Sequence, residues 1–417
     1  MKIKTSSMLL LCIALCTIAL DDFFGIGTSM NNTYLFIGSF FLCFILCVVH
    51  GQRQMAVISH KYHFIIGYVI AIALSFVVVF FYSLINYPAQ DISATINSSY
   101  SYLALLLVYP ILVLILLRNH SKQIYRLLDI FAIVIYCLIL IQVFLYRTNG
   151  TLIFMESVVR FRNERLRLGI HFYGNLMIIY NFYKVYCKKE NTFFRWTLLT
   201  VGLFELVFYQ QTRAYTLVIL VCIFTIVLLE KNTKIVFIKK IILIALGIAI
   251  ISQTELVSNF LQSLATTGIE AGSTLGRQYA IGYYWSMFLS NFPFGMGFPN
   301  TDKYYFILHN SIGSYVTYVD DVGIIGQLGV WGIFLIPIFV LPVIRWIHIL
   351  KELKKHGNYD TFVWYCTVLV YIIVSSATLV ALDSYRIMIM PIFIALIEFE
   401  YRKFKEIERG NDDGGVL

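Results

Sequence analysis

Two sets of residues in this sequence have the chemistry of an active or binding site: a histidine-asparagine pair and a group of arginines. His309 and Asn310 stand in FILHNSIGSYV, at the end of the one long polar loop and just ahead of a hydrophobic segment. A histidine can take or give a proton near neutral pH. A lone histidine in apolar surroundings is more often structural, so the pair needs support from the rest of the chain before it indicates a site.

The arginines are divided unevenly between the two sides of the predicted membrane. Eight arginines and a single lysine, Lys303, fall in segments that we place outside the cytoplasm, whereas the other lysines fall inside. A topology signal alone would not separate arginine from lysine. Because a guanidinium binds phosphate or carboxylate through two parallel hydrogen bonds, this distribution predicts an anion site on the outer face. The outside arginines are Arg147, Arg160, Arg162, Arg165, Arg167, Arg213, Arg277 and Arg386.

Several of these arginines also have a structural interpretation. Glu156 and Glu164 can neutralise part of the cluster at 160–167. Arg213 and Arg386 lie at or near the ends of predicted spans, where a long side chain can extend toward the lipid headgroups. Arg386 also follows Asp383 closely enough for a local ion pair.

The composition is that of a polytopic membrane protein. Of 417 residues, 59% are hydrophobic and 13% are charged, and the mean hydropathy is +0.78, whereas soluble proteins carry about 25% charged residues. We expect one integral domain over residues 1–417, and we interpret the net charge of +9 as a topology signal rather than as nucleic-acid binding. The eight cysteines include no CxxC and none lies in an outside loop, which argues against a disulfide framework or a zinc site.

Hydropathy and charge together predict the topology. A span needs about 20 apolar residues, and basic residues in every inside segment place both termini in the cytoplasm. The predicted fold is therefore an all-α integral membrane protein with about twelve spans. They are 5–20, 33–50, 62–86, 99–118, 127–147, 168–186, 194–210, 213–230, 236–252, 322–344, 361–382 and 384–400.

One large extracytoplasmic loop, 253–321, separates the ninth and tenth spans. Long loops are usually functional or disordered, and the aromatic content of this one predicts order. A short amphipathic helix begins near Ser273 or Thr274 and lies flat on the membrane, with Tyr284 and Trp285 at headgroup depth. Pro293 ends the helix region, and Gly295 and Gly297 allow a tight reversal. The residues that share one helix face are Arg277, Ile281, Tyr284, Trp285 and Phe288.

Several motifs, in this order and on this side of the membrane, resemble the O-antigen polymerase and ligase superfamily of bacterial surface-polysaccharide membrane proteins. They are QQTRAYTLVI with Arg213, LGRQYAIGYYW and FPFGMGF with Arg277 and Trp285, and LHNSIGSY with VGIIGQLGVWGIF around His309. A looser match is RLGIHFYGN, where the usual Asn-Pro-Asn is absent. The resemblance covers mainly residues 165–335, together with the number of spans; residues 1–150 match in hydropathy only.

The resemblance implies a metal-independent, inverting glycosyltransferase of the bacterial inner membrane, with its active site on the extracytoplasmic side. Its donor is a glycan on undecaprenyl diphosphate, and it uses no cofactor. The product is O-antigen of a lipopolysaccharide, capsule or exopolysaccharide. A chain-length regulator and a flippase are the protein partners that such an enzyme implies.

The same resemblance suggests roles for individual residues. Arg213 and Arg277 bind the diphosphate, whose growing charge they stabilise as it leaves. His309 orients or deprotonates the acceptor hydroxyl, and Asn310 orients the loop. Trp285 contacts the substrate. Arg160, Arg162, Arg165 and Arg167 recruit an anionic glycan or the diphosphate, or else are salt-bridged loop charges. Asp320 and Asp321 are structural, pair with Arg277, or bind sugar.

Three functions stay open at this stage. The first is a polymerase of lipid-linked repeat units. The second is a ligase that transfers the finished glycan to a lipid A core or a protein, and it shares the same motifs. The third is a transporter or flippase of lipid-linked sugars. Arginines that converge at the outer mouth favour an enzyme, whereas arginines that line a path through the membrane favour a transporter.

Overall fold

The fold is built almost entirely from helices. The computed structural model describes residues 5–21, 29–118, 121–152, 160–162, 165–167, 172–210, 213–230, 271–312, 315–378 and 381–413. Within these ranges, the β-structure consists of two short antiparallel strand pairs. The predicted helical fold class is confirmed for this part of the chain.

The helices of the first half follow the apolar runs of the sequence. Asp91 caps one of them, because its carboxylate accepts a hydrogen bond from the backbone N–H of Ala94 at 2.7 Å. The helices are α1 (Thr5–Asp21), α2 (Ser29–His50), α3 (Gln52–Lys61), α4 (His63–Asn86), α5 (Ile92–Ser99), α6 (Val108–Arg118) and α7 (Lys122–Asn149). A 3-10 helix, Tyr100–Leu107, joins α5 to α6.

The second half contains shorter helices and the two strand pairs. The helices are α8 (Phe172–Tyr186), α9 (Phe193–Glu205), α10 (Arg213–Leu229), α11 (Ala271–Ser290), α12 (Tyr305–Leu308), α13 (Gly323–Trp331), α14 (Leu341–Lys355), α15 (Tyr359–Ser375) and α16 (Ile389–Asp413). Irregular helical turns extend several of them: Leu206–Gln210, Val319–Val322, Gly332–Phe334 and Ile336–Val340. The strands are β1 (Arg160–Arg162), β2 (Arg165–Arg167), β3 (Ser311–Ile312) and β4 (Tyr315–Val316).

Four helical segments are long and apolar enough to cross a bilayer: Asn31–His50, His63–Asn86, Ile92–Arg118 and Lys122–Asn149. They confirm that the chain contains apolar helices of spanning length at four of the predicted spans. Shorter apolar helices occupy three more predicted spans, at Thr5–Leu20, Ala214–Leu229 and Tyr359–Ser375. The predicted span at 236–252 and the start of the long loop, 253–270, lie outside the described residues.

The predicted span at 322–344 is wrong as a single continuous helix. Two helical segments, Val319–Phe334 and Ile336–Lys355, are together long and apolar enough to cross a bilayer. The chain bends by 113° between them. This bend is much sharper than the gentle curvature of ordinary helices and requires a local cause.

The cause of the bend is a turn that pairs with the helix backbone. Met296 and Gly297 donate backbone hydrogen bonds to the carbonyl oxygens of Gly329 and Val330, at 2.7 and 3.0 Å. Gly332 has φ +56°, and a Cβ added there would lie 2.0 Å from the carbonyl oxygen of Pro293. The glycine is therefore required twice, for its left-handed backbone and for the close approach of the turn. Backbone groups of residues 293–297 thus take the place of the hydrogen-bond partners that residues 329–333 would have in a continuous helix.

The first two helices pack through small side chains. Cys12 and Cys16 of α1 and Cys43 and Cys47 of α2 are all buried, as their spacing of four residues along each helix suggests. These thiols therefore serve as small packing residues at a helix–helix contact.

Candidate functional site

A cavity of about 320 Å³ lies where several segments that the sequence places outside the membrane come together. Small-molecule sites usually measure about 300–1,000 Å³, so this cavity is at the lower end of that range. Its lining comes from the start of the fourth predicted span, the long loop, helix α13 and the turn before α16. The lining residues are Asn97, Ser98, Tyr100, Ser101, Tyr102, Gly297, Phe298, Pro299, Thr301, Leu308, His309, Tyr318, Val319, Asp320, Gln327, Val330, Asp383 and Ser384.

His309 is part of this lining and is held between two tyrosines. Its ring stacks on Tyr305 with centroids 4.5 Å apart and meets the edge of Tyr318 at 5.1 Å. Within the described residues, its Nδ1 is buried and has no hydrogen-bond partner. Burial lowers the pKa of His309, which outweighs the opposite effect of the Tyr305 backbone. The lowered pKa favours the neutral form of the imidazole.

Helix α11 positions the residues just before His309. The hydroxyl of Tyr283 donates to the carbonyl oxygen of Ile307 at 2.7 Å, and that of Tyr284 donates to the carbonyl oxygen of Leu308. The prediction that Tyr284 faces the headgroups is wrong, because its side chain is completely buried. The apolar spacing of α11 could not distinguish a lipid-facing tyrosine from one that reaches inward to a loop.

Trp285 faces the other way and does not line the cavity. It is 47% exposed and packs on Phe288, with ring centroids 5.7 Å apart. The position of α11 on the membrane surface stays a prediction, and the cavity lining does not include Trp285, which was predicted to contact substrate. The helix itself begins at Ala271, before the predicted cap, and ends at Ser290, just before Pro293.

Asn310 fixes the shape of the loop through its backbone. Its N–H donates to the Thr317 hydroxyl at 3.0 Å, and its carbonyl oxygen accepts from the Thr317 N–H at 2.9 Å. These bonds close the strand pair in which Ser311 faces Val316 and Ile312 faces Tyr315. The structure thus gives Asn310 the loop-shaping contacts expected of it, at the end of the cavity lining.

The floor of the cavity is aromatic. Tyr102 and Phe298 stack with centroids 5.4 Å apart, and each meets the edge of Trp331 at 4.9 Å. The hydroxyl of Tyr102 donates to Oε1 of Gln327 at 3.1 Å. This arrangement combines flat apolar faces with neutral hydrogen-bonding groups.

The segment that carries Phe298 is anchored to α4 and to the start of α5 by buried polar side chains. The backbone N–H of Phe298 donates to the Ser83 hydroxyl at 2.8 Å, and the Tyr87 hydroxyl donates to the carbonyl oxygen of Met296 at 2.7 Å. Gln90 accepts from the backbone N–H of Asn300 at 2.8 Å. These bonds hold one wall of the cavity against the helices that the sequence predicts to cross the membrane.

The acidic residues of the cavity are two aspartates, Asp320 and Asp383, and among the described residues in the lining there is no lysine or arginine. Burial and the neighbouring Asp383 raise the pKa of Asp320 to about 8, against the opposite effect of Arg386. The predicted local ion pair is present: Arg386 Nη1 lies 2.8 Å from Asp383 Oδ2, and both side chains are largely buried. Arg386 also lies over the ring of Tyr215 at 5.9 Å. For Asp320, the alternative of an ion pair with Arg277 is not among the ion pairs of the described residues, and the cation that influences it there is Arg386. The structural and sugar-binding alternatives stay predictions.

Among the other predicted anion-binding arginines, Arg277 is the one whose side chain the structure describes, and it does not line this cavity. Arg277 is exposed on α11. Arg213 begins helix α10, and its side chain lies outside the described part of the structure. Arg160 and Arg162 of β1 pair in the backbone ladder with Arg167 and Arg165 of β2, so the four arginines occupy alternate positions of one strand pair. Their side chains also lie outside the described part.

The site differs from the one expected from sequence in its charged members. His309 lines the cavity, Arg386 pairs with the lining residue Asp383, and the aromatic wall comes from Tyr102 and Phe298. The adjacency of Asp383 and Arg386 in sequence is the one signal that pointed to part of this arrangement. Within the residues that the structure describes, no group of three or more His, Cys, Asp or Glu side chains is arranged to hold a metal ion. Searches against known proteins found no family model that matches the chain and no curated protein that matches it significantly.

Proposed function

We propose that this protein polymerises lipid-linked oligosaccharide repeat units, as a glycosyltransferase whose donor is a glycan on undecaprenyl diphosphate and which needs no metal. The observation that carries the proposal is His309, a histidine whose pKa is lowered by burial and which lines a polar and aromatic cavity. The order of the Arg213, Arg277 and His309 motifs supports it independently. O-antigen, capsule or exopolysaccharide is the product class.

The chemical step needs a base and a stabilised leaving group. The acceptor sugar hydroxyl attacks the anomeric carbon of the donor sugar, and the bond from that carbon to the diphosphate oxygen breaks, with inversion. The hydroxyl proton passes to the imidazole of His309, which is free to accept it because burial keeps the ring neutral. Undecaprenyl diphosphate leaves with the bonding electron pair.

Arginines on the outer face serve the leaving group in this proposal. Guanidinium groups hold a diphosphate by paired hydrogen bonds and stabilise the charge that grows as it departs. Arg277 is exposed on the same helix whose tyrosines hold the His309 segment, which favours it for this role. The lipid bilayer carries the polyprenyl chain.

A ligase is the first alternative, because a ligase uses the same donor and the same step with a different acceptor. A transporter or flippase of lipid-linked sugars is the second. The cavity lies at one end of the predicted spans, which favours chemistry at the outer face over a passage through the membrane.

A product analysis separates the three functions. Purified protein is incubated, with chelator present, with an undecaprenyl-diphosphate-linked repeat unit from the parent organism, and the products are resolved by length. A ladder of lengths supports the polymerase. Transfer that occurs only after addition of a lipid A core or a protein acceptor supports the ligase. Movement of the intact lipid-linked unit across a liposome membrane, without new glycosidic bonds, supports the transporter.

A further inference from the structure

Helix α9 ends in a glutamate that is completely enclosed by protein. Glu205 lies in the segment 194–210, which the sequence predicts to cross the membrane, and it is 0% exposed. Among the described residues, neither oxygen of its carboxyl group has a hydrogen-bond partner. It does not line the cavity around His309, and the glycosyl transfer proposed above makes no use of it.

Helices α7, α8 and α9 meet around the hydroxyl of Tyr136. This hydroxyl donates to the carbonyl oxygen of Gly174 at 2.8 Å, and a Cβ added at Gly202 would lie 2.5 Å from its oxygen. Glu205 follows Gly202 by three residues and therefore shares its helix face, near enough to Tyr136 for an electrostatic interaction. Because a hydroxyl has one proton to donate and Gly174 receives it, Tyr136 does not supply a donor to the carboxyl group.

The charged residues of the helices packed against α9 have other positions or partners. Arg195 Nη1 lies 2.9 Å from Asp129 Oδ1, and Lys184 Nζ lies 2.7 Å from Glu190 Oε1. The remaining charged residues of α7 are exposed near its ends: Lys122, Arg126 and Arg147. Within the described part of the chain, no cation therefore stabilises an ionised Glu205.

A carboxylate that is buried without a partner is strongly disfavoured, and such a group takes up a proton instead. Ionisable residues inside a membrane domain are rare and usually functional. We propose that Glu205 is a proton-binding site within the predicted membrane domain and that it holds its proton at neutral pH. The next residue begins the π-helical turn Leu206–Gln210, a kind of interruption that is frequent at functional sites. Loss of the proton would place a negative charge at this interruption. The inference goes beyond the proposed function and does not depend on it.

Infrared spectroscopy reads the protonation state of this carboxyl group directly. Full-length protein in lipid nanodiscs at pH 7 is compared with Glu205→Gln, and the difference spectrum should contain the C=O band of a protonated carboxylic acid. Glu398 of α16 is the matched control, since it is 1% exposed in another predicted span, 384–400. Its two oxygens accept from Nε and Nη2 of Arg345 at 2.6 and 3.1 Å. The Glu398→Gln difference spectrum should therefore contain carboxylate bands instead.

Thermal unfolding of the same variants gives a second measurement. Glutamine has the size and the neutrality of a protonated glutamate, so Glu205→Gln should leave the unfolding temperature unchanged or raise it. Glu398→Gln should lower it, because Arg345 loses its buried partner. Carboxylate bands from Glu205 at pH 7, or equal falls in unfolding temperature for the two variants, would overturn the inference. Neither measurement requires glycosyl transfer, so a failure of the proposed function would not change its result.

Discussion

At the scale of single residues, the site depends on side chains whose burial changes their chemistry. His309 lies between Tyr305 and Tyr318, and its buried Nδ1 has no hydrogen-bond partner among the described residues. Burial lowers its pKa below the ordinary value for histidine, about 6.5. A lowered pKa extends the pH range over which the imidazole is neutral toward acid.

This shift predicts the pH dependence of the proposed transfer. A base acts only in its neutral form, so protonation of His309 should abolish activity as the pH falls through its pKa. We expect the acid limb of the rate to lie below about pH 6.5, measured as the initial rate of chain extension from pH 4.5 to 8. An acid limb above pH 7 would contradict a buried histidine as the base.

The buried ion pair beside the cavity predicts a stability effect. Asp383→Asn leaves the guanidinium of Arg386 without its carboxylate, and the loss of one partner of a buried pair costs about 3–5 kcal/mol. We expect a clear fall in the thermal unfolding temperature in detergent. The control is Asp360→Asn, because Asp360 pairs with Lys188 in a contact whose carboxylate is 61% exposed, and an exposed pair contributes about 1 kcal/mol or less. Equal effects of the two substitutions would contradict a larger contribution to stability from the buried Asp383–Arg386 pair.

At the scale of elements, the bend between α13 and α14 depends on a glycine that hydropathy does not reveal. The apolar run at 322–344 predicts one straight span, and the structure bends it by 113°. The reason is backbone pairing between residues 293–297 and 329–333, which are far apart in sequence. The glycines of both segments are visible in the sequence, but their pairing is not.

Gly332→Ala should disrupt this bend. The backbone of Gly332, with φ +56° and ψ −139°, lies in a region that other residues rarely adopt, at a cost of about 1–3 kcal/mol, and the contact with the Pro293 carbonyl adds to that. We expect less folded protein and a lower unfolding temperature. Gly282→Ala on α11 is the control, because nothing lies within 4 Å of its added Cβ and alanine favours an exposed helix interior by about 0.5–1 kcal/mol. An unchanged yield and unfolding temperature for Gly332→Ala would contradict the close approach of the Pro293 carbonyl to Gly332.

At the scale of the whole molecule, composition and hydropathy predict much of the architecture. They predict an apolar helical protein, and four described helices have spanning length. They also place His309 at the end of the long polar loop, just ahead of a hydrophobic segment. The meeting of Asp320 with Asp383, and the inward reach of Tyr284, depend on contacts between distant segments. Periodicity within one helix carries no information on such contacts.

The predicted orientation of the whole molecule has its own test. In a chain whose native cysteines are replaced by alanine, Lys303→Cys should react with a membrane-impermeant thiol reagent in intact cells. Lys351→Cys should react only after the membrane is permeabilised. Both lysines are exposed in the structure, so the two introduced thiols are equally accessible on the protein, and a difference in labelling reports the side of the membrane. The reverse pattern would invert the topology and move the cavity to the cytoplasmic side.

The most direct test of the central claim is the glycan ladder made by His309→Ala beside the wild type. Both proteins receive the same lipid-linked repeat unit, with chelator present, and His60→Ala, a change at an exposed histidine of α3, serves as the control. The proposed mechanism predicts a ladder from the wild type and from His60→Ala, and loss of the ladder from a folded His309→Ala protein. A ladder that survives His309→Ala would contradict His309 as the base, and absence of transfer by the wild type would contradict the polymerase itself.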